Sequence, residues 1–404
     1  MTGKRAPRTE AHEAAAGPLS GTKVVDLAQA RAGPTCVRIL ADLGASVVQV
    51  VRPAAGSFDS GLPSFDRENL HRNKRSVAID LQTEEGRGVL LRLVRDADVV
   101  VENFRPDVKR RLGIDYEALS AVNERLVYGS ISGFGQTGPY ANRPGVDQIA
   151  QGLGGLMSIT GPPGGGPWRV GIAISDLAAG MFLAHAILAA LLERERSGKG
   201  QWVHTSLLEA MIALLDFQAT RWLIAKEVPP QAGNDHPTLF PMGVFETADG
   251  PINIAASGGR MWNDFLKVIG RSDLAEDERF RDPQTRRRHR EELMEACNEA
   301  LRRRPAAEWI EALNAAGVPC GPILSIDAVF ADQQVRHLGM AQTVESPHFG
   351  ALAIVRSPMN LTRTPPSLRR AAPQPGEHTA EVLRELGFDD GEIERLLARG
   401  VVSG

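Results

Sequence analysis

The feature that most constrains this chain is an alternation of short, β-branched apolar runs with helix-like runs, which begins at Thr22. Strand-like runs cover residues 23–28, 45–52, 76–81, 98–103 and 126–135, and helix-like runs such as 35–44 and 84–95 lie between them. A further helix is predicted over 205–225. This order is typical of βαβ units, in which neighbouring strands run parallel. The pattern therefore predicts an α/β fold with a Rossmann-like, doubly wound parallel sheet, whose ligands bind beyond the carboxyl ends of the strands.

Two breaker-rich segments suggest a second, smaller domain. The composition changes near Pro229, in VPPQAGNDHPTLFPMG, and a Gly/Pro cluster follows at 317–322. Between them, residues 243–256 predict a hairpin with Asp249-Gly250 at its turn, and residues 261–269, 286–304 and 306–315 predict helices. We therefore expect a disordered leader over 1–20, a large domain over 21–228, a small α+β domain over 229–322 and a C-terminal part over 323–404 that contains two short helices within 376–402.

Composition excludes several classes of protein. Lys and Arg number 46 and Asp and Glu 49, a net charge of −3, so the chain lacks the basic excess of a non-specific nucleic-acid binder. Cys36, Cys297 and Cys320 are far apart and form no CxxC pair, so we expect neither a disulfide scaffold nor a metal site. The leader has no apolar core and the apolar run 177–192 is short for a membrane span. We expect a cytoplasmic protein without a membrane partner.

Arg52 marks a candidate phosphate site. It follows the second predicted strand, where an NAD site typically has an acidic residue, and the first βαβ unit has no GxGxxG motif. A guanidinium suits a phosphate group, which points to a phosphorylated nucleotide such as coenzyme A or NADP rather than to NAD. An arginine that simply points into solvent at a strand end fits the pattern equally well.

Asp176 is the second candidate. It follows residues 170–174, which predict a short strand, and it precedes the apolar run 177–192. Aspartate at such a place is typical of a helix N-cap, and capping is what we expect first. The alternative is a nucleophilic carboxylate beside the glycine-rich stretch 152–171. A serine or cysteine hydrolase is disfavoured because GxSxG is absent.

An ordered set of motifs resembles the class III coenzyme A transferases, the family of formyl-CoA transferase and carnitine CoA-transferase. The resemblance runs from about Gly21 to Val402 and is carried by AGPTCVRILADLGASVVQVVRP (32–53), NKRSVAIDL (73–81), VENFRPDVKRRLGIDY (101–116), GFGQTGPYANRPGVDQIAQGLGGLMSITG (133–161), RVGIAISDLAAG (169–180) and GEHTAEVLRELGF (376–388). It implies transfer of CoA from an acyl-CoA thioester to a free carboxylic acid. It also implies acyl-CoA and CoA as substrates without a permanently bound cofactor, a large domain built from both chain ends, and a homodimer of interlocked chains.

The resemblance also assigns residues. Asp176 takes the position of the nucleophile, which forms aspartyl anhydride and aspartyl-CoA thioester intermediates. Arg31 stands near the acyl group, Asp147 at the acidic position of the GxD segment, and Ser257-Gly258-Gly259 at a loop that covers the intermediate. The residues that would hold the nucleotide and pantetheine arm of CoA are Arg52, Asn73, Lys74, Arg75, Asn103, Phe104 and Arg111.

Three departures from the family pattern bear on the substrate and on the alternatives. Val51 stands where the family commonly has an acidic residue. Arg31 replaces a glutamine, which argues against formyl or oxalate specificity, and its cation can pair with the far carboxylate of a dicarboxylic acid. Gly145-Val146-Asp147 lacks the histidine that the related α-methylacyl-CoA racemases carry, and racemisation needs two acid/base groups. An acyl-CoA racemase or isomerase is the alternative enzyme, and a non-catalytic CoA-binding paralogue the alternative of another class. An NADP-dependent oxidoreductase is disfavoured by the missing glycine motif.

Overall fold

The computed structural model describes residues 17–53, 65–347 and 349–404. Its strands are β1 (Lys23–Asp26), β2 (Ser46–Val51), β3 (Lys74–Ile79), β4 (Val99–Glu102), β5 (Val127–Ser132), β6 (Trp202–Ser206), β7 (Met242–Glu246), β8 (Pro251–Ala255), β9 (Cys320–Pro322), β10 (Ala341–Ser346), β11 (Gly350–Val355) and β12 (Val402–Ser403). Its helices are α1 (Ala32–Asp42), α2 (Phe65–His71), α3 (Glu84–Arg95), α4 (Pro106–Leu112), α5 (Tyr116–Ser120), α6 (Asp147–Leu153), α7 (Leu156–Ile159), α8 (Ile174–Ser197), α9 (Leu207–Leu214), α10 (Phe217–Thr220), α11 (Gly259–Ile269), α12 (Asp273–Glu276), α13 (Pro283–Arg288), α14 (Arg290–Leu301), α15 (Ala306–Ala315), α16 (Ile326–Ala331), α17 (Gln333–His337), α18 (Thr379–Glu385) and α19 (Asp390–Ala398).

The described residues divide into two compact units. The first unit comprises the described residues up to Gly154, residues 172–214 and residues 336–404, and the second unit comprises residues 155–171 and 215–335. The domain boundaries expected from composition, at 229 and 322, stay predictions, because compactness alone does not test which segments fold together. Of the expected leader, residues 17–20 are described: they form a turn in which the Leu19 N–H donates to the Leu43 carbonyl. The rest of the leader lies outside the described residues.

The first unit is built on a sheet in the order β12-β3-β2-β1-β4-β5-β6. Strands β1 to β6 are parallel, and β12 pairs antiparallel with β3 at one edge. Every residue of β4 and β5 is buried, as expected of strands covered by helices on both faces. The predicted α/β fold with a mostly parallel, doubly wound sheet is thus confirmed. The strand order reverses direction at β1, so the carboxyl ends of β1 and β4 form a switch point.

Helix α8 is the central helix of the first unit. It is long and apolar enough to cross a membrane by length and composition alone, but Ala179, Leu183 and Ile187 are wholly buried in the core formed with α1, β1, β4 and β5. Gly180 makes the closest approach to α1: a Cβ there would lie 2.6 Å from the Ala32 carbonyl oxygen. This helix therefore packs into the core of the first unit.

Two local predictions are wrong. Residues 170–174 do not form a strand: residues 170–173 are irregular and partly exposed, and Ile174 already begins α8. The single helix expected over 205–225 is also absent, because Thr205 and Ser206 pair with β5 as the end of β6. The helical stretch after them is interrupted at Asp216, whose φ of 46° is incompatible with an α-helix. It ends in a π-helical turn, Arg221–Ala225.

The second unit contains the antiparallel sheet β7-β8-β9 and helices α11 to α15. Strands β7 and β8 pair from Met242 with Ala255 to Glu246 with Pro251, which confirms the predicted hairpin. Its core is aromatic and aliphatic, with Phe245, Phe265 and Leu293 fully buried. The first unit contains a further hairpin, β10-β11, which the sequence analysis did not predict.

The C-terminal segment returns to the sheet of the first unit. Strand β12 pairs with β3, and the Thr379 hydroxyl accepts a hydrogen bond from the Ala78 N–H while donating to the Ser403 carbonyl. Helix α19 begins with a capping box formed by Asp389 and Glu392, and the two predicted C-terminal helices are confirmed as α18 and α19. Both chain ends that the structure describes therefore contribute to this unit.

Candidate functional site

The loops that follow β1 and β4 are joined by a side chain at the switch point. Asn103 accepts a hydrogen bond from the Gln29 N–H and donates one to the Gln29 carbonyl, both 2.8 Å long. The turn after Gln29 is tight, since Ala30 has a φ of 56° and a Cβ on Gly33 would lie 2.2 Å from the Ala28 Cβ. Asn103 therefore fixes the backbone that delivers Arg31 to the start of α1.

The close packing of α1 and α8 brings Arg31 and Asp176 into one neighbourhood. Arg31 directly precedes α1, and Asp176 lies in the first turn of α8, one turn before Gly180. Because Gly180 lets the two helices touch at Ala32, the beginnings of both helices lie side by side. The Arg31 guanidinium is close enough to act on Asp176 electrostatically.

Asp176 does not cap α8, so the expectation of an N-cap is wrong. The N-cap position belongs to Ala173, which has no side-chain cap, and Asp176 is the third residue of the helix. The capping role falls to Asp147 at the start of α6, which accepts hydrogen bonds from the Ser175 N–H at 3.0 Å and the Ser175 hydroxyl at 2.9 Å. The Asp176 carboxylate is therefore not used to cap the helix.

Asp147 is held on both of its oxygens. Its Oδ1 accepts the two bonds from Ser175, and its Oδ2 accepts a bond of 2.8 Å from Gln151, one helical turn along α6. The side chain is buried. Asp147 therefore acts as a fixed negative charge beside the first turn of α8.

The Asp176 carboxylate is half-buried and chemically unusual. In the described part of the chain it has neither a hydrogen-bond nor a salt-bridge partner. Burial and, secondarily, the negative charge of Asp147 raise its pKa to about 6 against the opposing effect of the Arg31 charge. At neutral pH this side chain is thus an ionised carboxylate with little solvation and more basicity than an ordinary aspartate, which makes it a good candidate nucleophile.

Arg31 has a carboxylate partner of its own. Its Nη2 lies 2.6 Å from the Oδ2 of Asp66 in α2, and the two side chains are 30% and 40% exposed. The guanidinium is therefore neutralised in part, in a position that solvent reaches. A basic group beside a nucleophilic carboxylate provides a place for a second negative charge.

The residues assigned to CoA lie after the carboxyl ends of strands, in helix α4, or at the beginning of β3. Arg52 follows β2 at the carboxyl edge of the sheet and is exposed, and Arg111 is exposed in the last turn of α4. Phe104 packs against the core, and its N–H donates a bond of 2.8 Å to Glu102. Arg52, Asn103 and Phe104 all follow the carboxyl ends of strands, where a nucleotide would bind. Their roles toward CoA stay predictions.

Asn73, Lys74 and Arg75 lie at the beginning of β3 instead, and all three have partners within the chain. Asn73 donates to Asp42 and to the Ser367 carbonyl, and it accepts from the Arg369 and Arg370 N–H groups. The Arg75 guanidinium lies 2.7 Å from both Glu381 and Glu385. These contacts attach the C-terminal segment to the sheet. That the side chains also hold CoA stays a prediction.

Lys74 belongs to a buried polar cluster. Its Nζ lies 2.8 Å from Asp26 and 3.3 Å from the Nδ1 of His71, and neither charged side chain is exposed. Burial lowers the pKa of Lys74, and burial with the charge of Lys74 lowers that of His71 well below its ordinary value. The cluster is thus an ammonium–carboxylate pair with a neutral imidazole beside it.

The sequence analysis missed a second buried pair, Glu102 and Lys109, 2.8 Å apart. Lys109 Nζ also lies 2.9 Å from Gln136 Oε1 and 4.8 Å from the centre of the Trp202 ring. Because Glu102 also accepts the Phe104 N–H, this cluster fixes the loop that carries Asn103. In the sequence, the available signal was an acidic residue at the end of a predicted strand and a lysine in the helix that Pro106 begins.

Gly258 and Gly259 lie in the second unit. Gly258 is the N-cap of α11, with its carbonyl accepting the Trp262 N–H at 2.7 Å, and Gly259 begins the helix. A Cβ on Gly259 would meet nothing within 4 Å. The preceding carbonyl, of Ser257, accepts from Arg286 at 3.4 Å. The loop's role over an intermediate stays a prediction.

Across residues 17–53, 65–347 and 349–404, no cluster of His, Cys, Asp or Glu is arranged to hold a metal ion. Cys36 and Cys297 are buried free thiols, and burial raises the pKa of both. Neither a metal site nor a reactive thiol is thus found among the described residues, and the candidate reactive groups are the Asp176 carboxylate and the nearby Arg31 guanidinium.

Comparisons with known proteins agree with this picture. Residues 19–379 match the family described as CoA-transferase family III. The chain is 39% identical over 382 residues to the succinate–glutarate CoA-transferase of Agrobacterium fabrum, covering 91% of this chain and 96% of that relative. It is 38% identical over 400 residues to the succinyl-CoA:mesaconate CoA-transferase of Haloarcula hispanica, covering 93% and 98%. The crystal structure of a CaiB/BaiF family protein from Brucella suis is similar with a TM-score of 0.82 at 36% identity, covering 92% and 99%.

Proposed function

The chain belongs to CoA-transferase family III and is a CoA-transferase, and we propose that it transfers CoA from an acyl-CoA thioester to a dicarboxylic acid through covalent intermediates on Asp176. The observation that carries the proposal is the Asp176 carboxylate itself. It is half-buried, has no hydrogen-bond partner in the described residues, and has a pKa raised to about 6 by burial and by the charge of Asp147. Such a carboxylate is ionised at neutral pH and loses little solvation when it attacks.

The first half of the reaction moves CoA onto the enzyme. An Asp176 carboxylate oxygen attacks the thioester carbonyl of the donor, the C–S bond breaks, and CoA leaves as its thiolate while a mixed anhydride forms. The thiolate then attacks the Asp176 carbonyl of the anhydride. The donor acid leaves as a carboxylate, and the enzyme holds CoA as an aspartyl thioester. No proton is gained or lost in these two steps.

The second half repeats the steps with the acceptor. The acceptor carboxylate attacks the aspartyl thioester, which again gives CoA thiolate and a mixed anhydride. The thiolate attacks the acceptor's carbonyl in that anhydride, so the new acyl-CoA forms and the Asp176 carboxylate is restored. Fixed neighbours assist by holding Asp176 in place: Asp147 fixes Ser175 next to it. Since that bond occupies the Ser175 N–H, this group is not free to stabilise an oxyanion.

The dicarboxylic acceptor is supported by Arg31. A guanidinium near the nucleophile can pair with the carboxylate at the far end of the acceptor while the carboxylate at its near end reacts with the aspartyl thioester. The two relatives described above are named for glutarate and for mesaconate, which are dicarboxylic acids. We therefore expect glutarate-like acids to be better acceptors than monocarboxylic acids of equal length.

We also propose a cytoplasmic homodimer with interlocked chains that holds no cofactor permanently. Exposed apolar side chains in the second unit support an association surface; they include Phe217, Trp222, Leu223, Ile224 and Val228. Free cysteines suit a reducing compartment. Light scattering after size-exclusion chromatography tests the dimer, and a mass spectrum of the native protein tests for a retained cofactor.

The test of the function uses two substitutions of the nucleophile. Asp176→Ala and Asp176→Asn replace the nucleophilic carboxylate with a methyl group and a neutral carboxamide, so we expect CoA transfer from succinyl-CoA to glutarate to fall at least about a thousandfold. CoA binding, measured by calorimetry, should persist. Asp390→Asn, which neutralises an exposed aspartate far from α8 in sequence, is the control and should keep full turnover. Normal turnover in either Asp176 variant would refute the mechanism.

Trapping identifies the covalent residue independently. Hydroxylamine added during turnover should convert the aspartyl thioester to a hydroxamate, and peptide mass spectrometry should find it at Asp176. A panel of CoA thioesters against mono- and dicarboxylic acids then identifies donor and acceptor. A modified peptide elsewhere in the chain would assign the nucleophile to another residue.

CoA recognition is tested at Arg52. If its guanidinium contacts the 3′-phosphate, Arg52→Ala should weaken CoA binding about tenfold and should leave 3′-dephospho-CoA binding nearly unchanged. Calorimetric titration of both compounds measures the difference. Equal losses for the two would place Arg52 elsewhere on the nucleotide.

A further inference from the structure

We propose that Asp66 occupies Arg31 in place of the acceptor's second carboxylate, so that a dicarboxylic acid binds by exchanging with Asp66. This inference rests on the proposed function and adds a residue that regulates specificity at the same site. It is carried by the contact between Arg31 and Asp66, which joins the start of α1 to the first turn of α2.

The geometry of the pair leaves room for an exchange. One hydrogen bond of 2.6 Å runs from Arg31 Nη2 to Asp66 Oδ2. In the part of the chain that the structure describes, the Nε and Nη1 groups of Arg31 have no hydrogen-bond partner. An incoming carboxylate can therefore engage the free edge of the guanidinium before Asp66 leaves, and the cation stays paired throughout.

Because both side chains of the pair are partly exposed, opening it costs little free energy. The side chains of Arg31 and Asp66 are 30% and 40% exposed, so water solvates both charges when the pair opens. The Arg72–Asp42 pair in the same unit shows the opposite design: two hydrogen bonds, of 2.7 and 3.0 Å, join side chains that are 3% and 5% exposed. A buried, bidentate pair of that kind holds its partner permanently.

The chemical class of the displacing group follows from the group that it displaces. Asp66 is a carboxylate, and the acceptor's far end, in the proposed function, is a carboxylate too. A monocarboxylic acid brings no charge to Arg31 and leaves the Arg31–Asp66 pair closed. Among acceptors, Asp66 therefore affects only those that carry a second carboxylate, and it weakens their binding because they must compete with it. The free carboxylate of a succinyl donor competes in the same way, so the donor is kept at one saturating concentration.

The experiment compares KM for glutarate and butyrate, with succinyl-CoA as fixed donor, in Asp66→Asn, Arg31→Gln and the double variant. Asp66→Asn should lower KM for glutarate by about three- to tenfold, and more at low salt than at high salt, since a charge is removed from a solvated site. KM for butyrate should change less than about twofold. In the Arg31→Gln background, Asp66→Asn should have no effect on glutarate, because the guanidinium for which both carboxylates compete is gone.

The control and the alternative outcomes separate this inference from the proposed function. Asp390→Asn neutralises an aspartate in another exposed ion pair, 2.9 Å from Arg384, and should leave both KM values unchanged. If it lowered KM for glutarate as well, net charge would explain the result and the inference would fail. If Arg31→Gln raised KM for glutarate while Asp66→Asn left it unchanged or raised it, Asp66 would not compete, although the acceptor assignment would stand. If Arg31→Gln left KM for glutarate unchanged, the dicarboxylate assignment itself would fail.

Discussion

Two carboxylates in the first unit meet their cations in opposite ways. Asp26, the last residue of β1, is wholly buried, accepts the Ala28 N–H at 3.0 Å and lies 2.8 Å from Lys74 Nζ. Asp176 is half-buried and lacks a hydrogen bond or salt bridge in the described residues, and its cation, Arg31, is bonded to another acid. Both oxygens of Asp26 therefore have a hydrogen-bond or ion-pair partner, whereas both oxygens of Asp176 can still accept one.

This difference separates a structural charge from a reactive one. A buried charge with complete hydrogen bonding is stable and unreactive, because any change in its state leaves a partner unsatisfied. A carboxylate that burial and a neighbouring negative charge destabilise is a better base and nucleophile, at a cost in folding free energy. The comparison yields three predictions about stability and activity.

The largest effect on stability is expected at Asp26. Asp26→Asn leaves the Lys74 ammonium buried without its counter-charge, and we expect the free energy of unfolding to fall by about 3–5 kcal/mol. Urea denaturation followed by circular dichroism measures the change. The double variant Asp26→Leu, Lys74→Met removes both charges and should be clearly more stable than Asp26→Asn. A loss below about 1 kcal/mol for Asp26→Asn would contradict the contrast between the two carboxylates.

A smaller effect of opposite sign is expected at Asp176. Its pKa in the folded protein is raised from 3.8 to about 6, so the folded state binds a proton more tightly than the unfolded state does. Stability contributed by the protonated form is therefore present below pH 3.8 and is lost as the pH rises to about 6. Asp176→Asn removes that loss, and we expect it to stabilise the protein by about 1–2 kcal/mol above pH 6, after allowance for partial exposure.

Unfolding of wild type and Asp176→Asn at pH 5 and pH 8 measures this difference. The stabilisation should be larger at pH 8, and kcat/KM of the wild type should fall as the pH drops through about 6. Asp390→Asn, in an exposed ion pair with Arg384, serves as the control. A variant less stable than the wild type at pH 8 would mean that the carboxylate is well solvated after all.

The smallest effect on stability concerns two glycines in helices. Neither Gly259 in α11 nor Gly88 in α3 would bring a Cβ within 4 Å of other atoms. Alanine at either position should therefore stabilise the fold by about 0.5–1 kcal/mol. Urea denaturation followed by circular dichroism measures the gain at each position. A loss of stability in either variant would mean that the helix requires glycine there.

The α/β class and the parallel sheet were predictable because their signal is local. Consecutive valines form the centre of β1 and most of β4, and the spacing of such runs by helices leaves few alternatives to a parallel sheet. The errors arose where tertiary contacts override local pattern. Residues 170–174 have strand composition, but Ile174 begins a helix whose first turn Asp147 caps from a distance of 28 residues in the chain.

The candidate site was predictable in its residue types and less so in its connections. Asp176 and Arg31 were found through motifs, but the partners that define their chemistry, Asp147 and Asp66, come from other elements. The environment of Lys74 could not be foreseen either, because the basic segment 73–75 has the composition of an exposed phosphate site and Lys74 is wholly buried against Asp26. Pairing of this kind depends on strand register and not on neighbours in sequence.

The contact at Gly180 has a further consequence. With a hydrogen atom as its side chain, this residue lets one helix rest on the carbonyl of Ala32 in another, only one position from Arg31. The absence of a Cβ at Gly180 therefore allows the close approach of the two helices that brings the guanidinium near the reactive carboxylate. Any larger side chain at position 180 would push the two helices apart and, with them, the two charged groups at their beginnings.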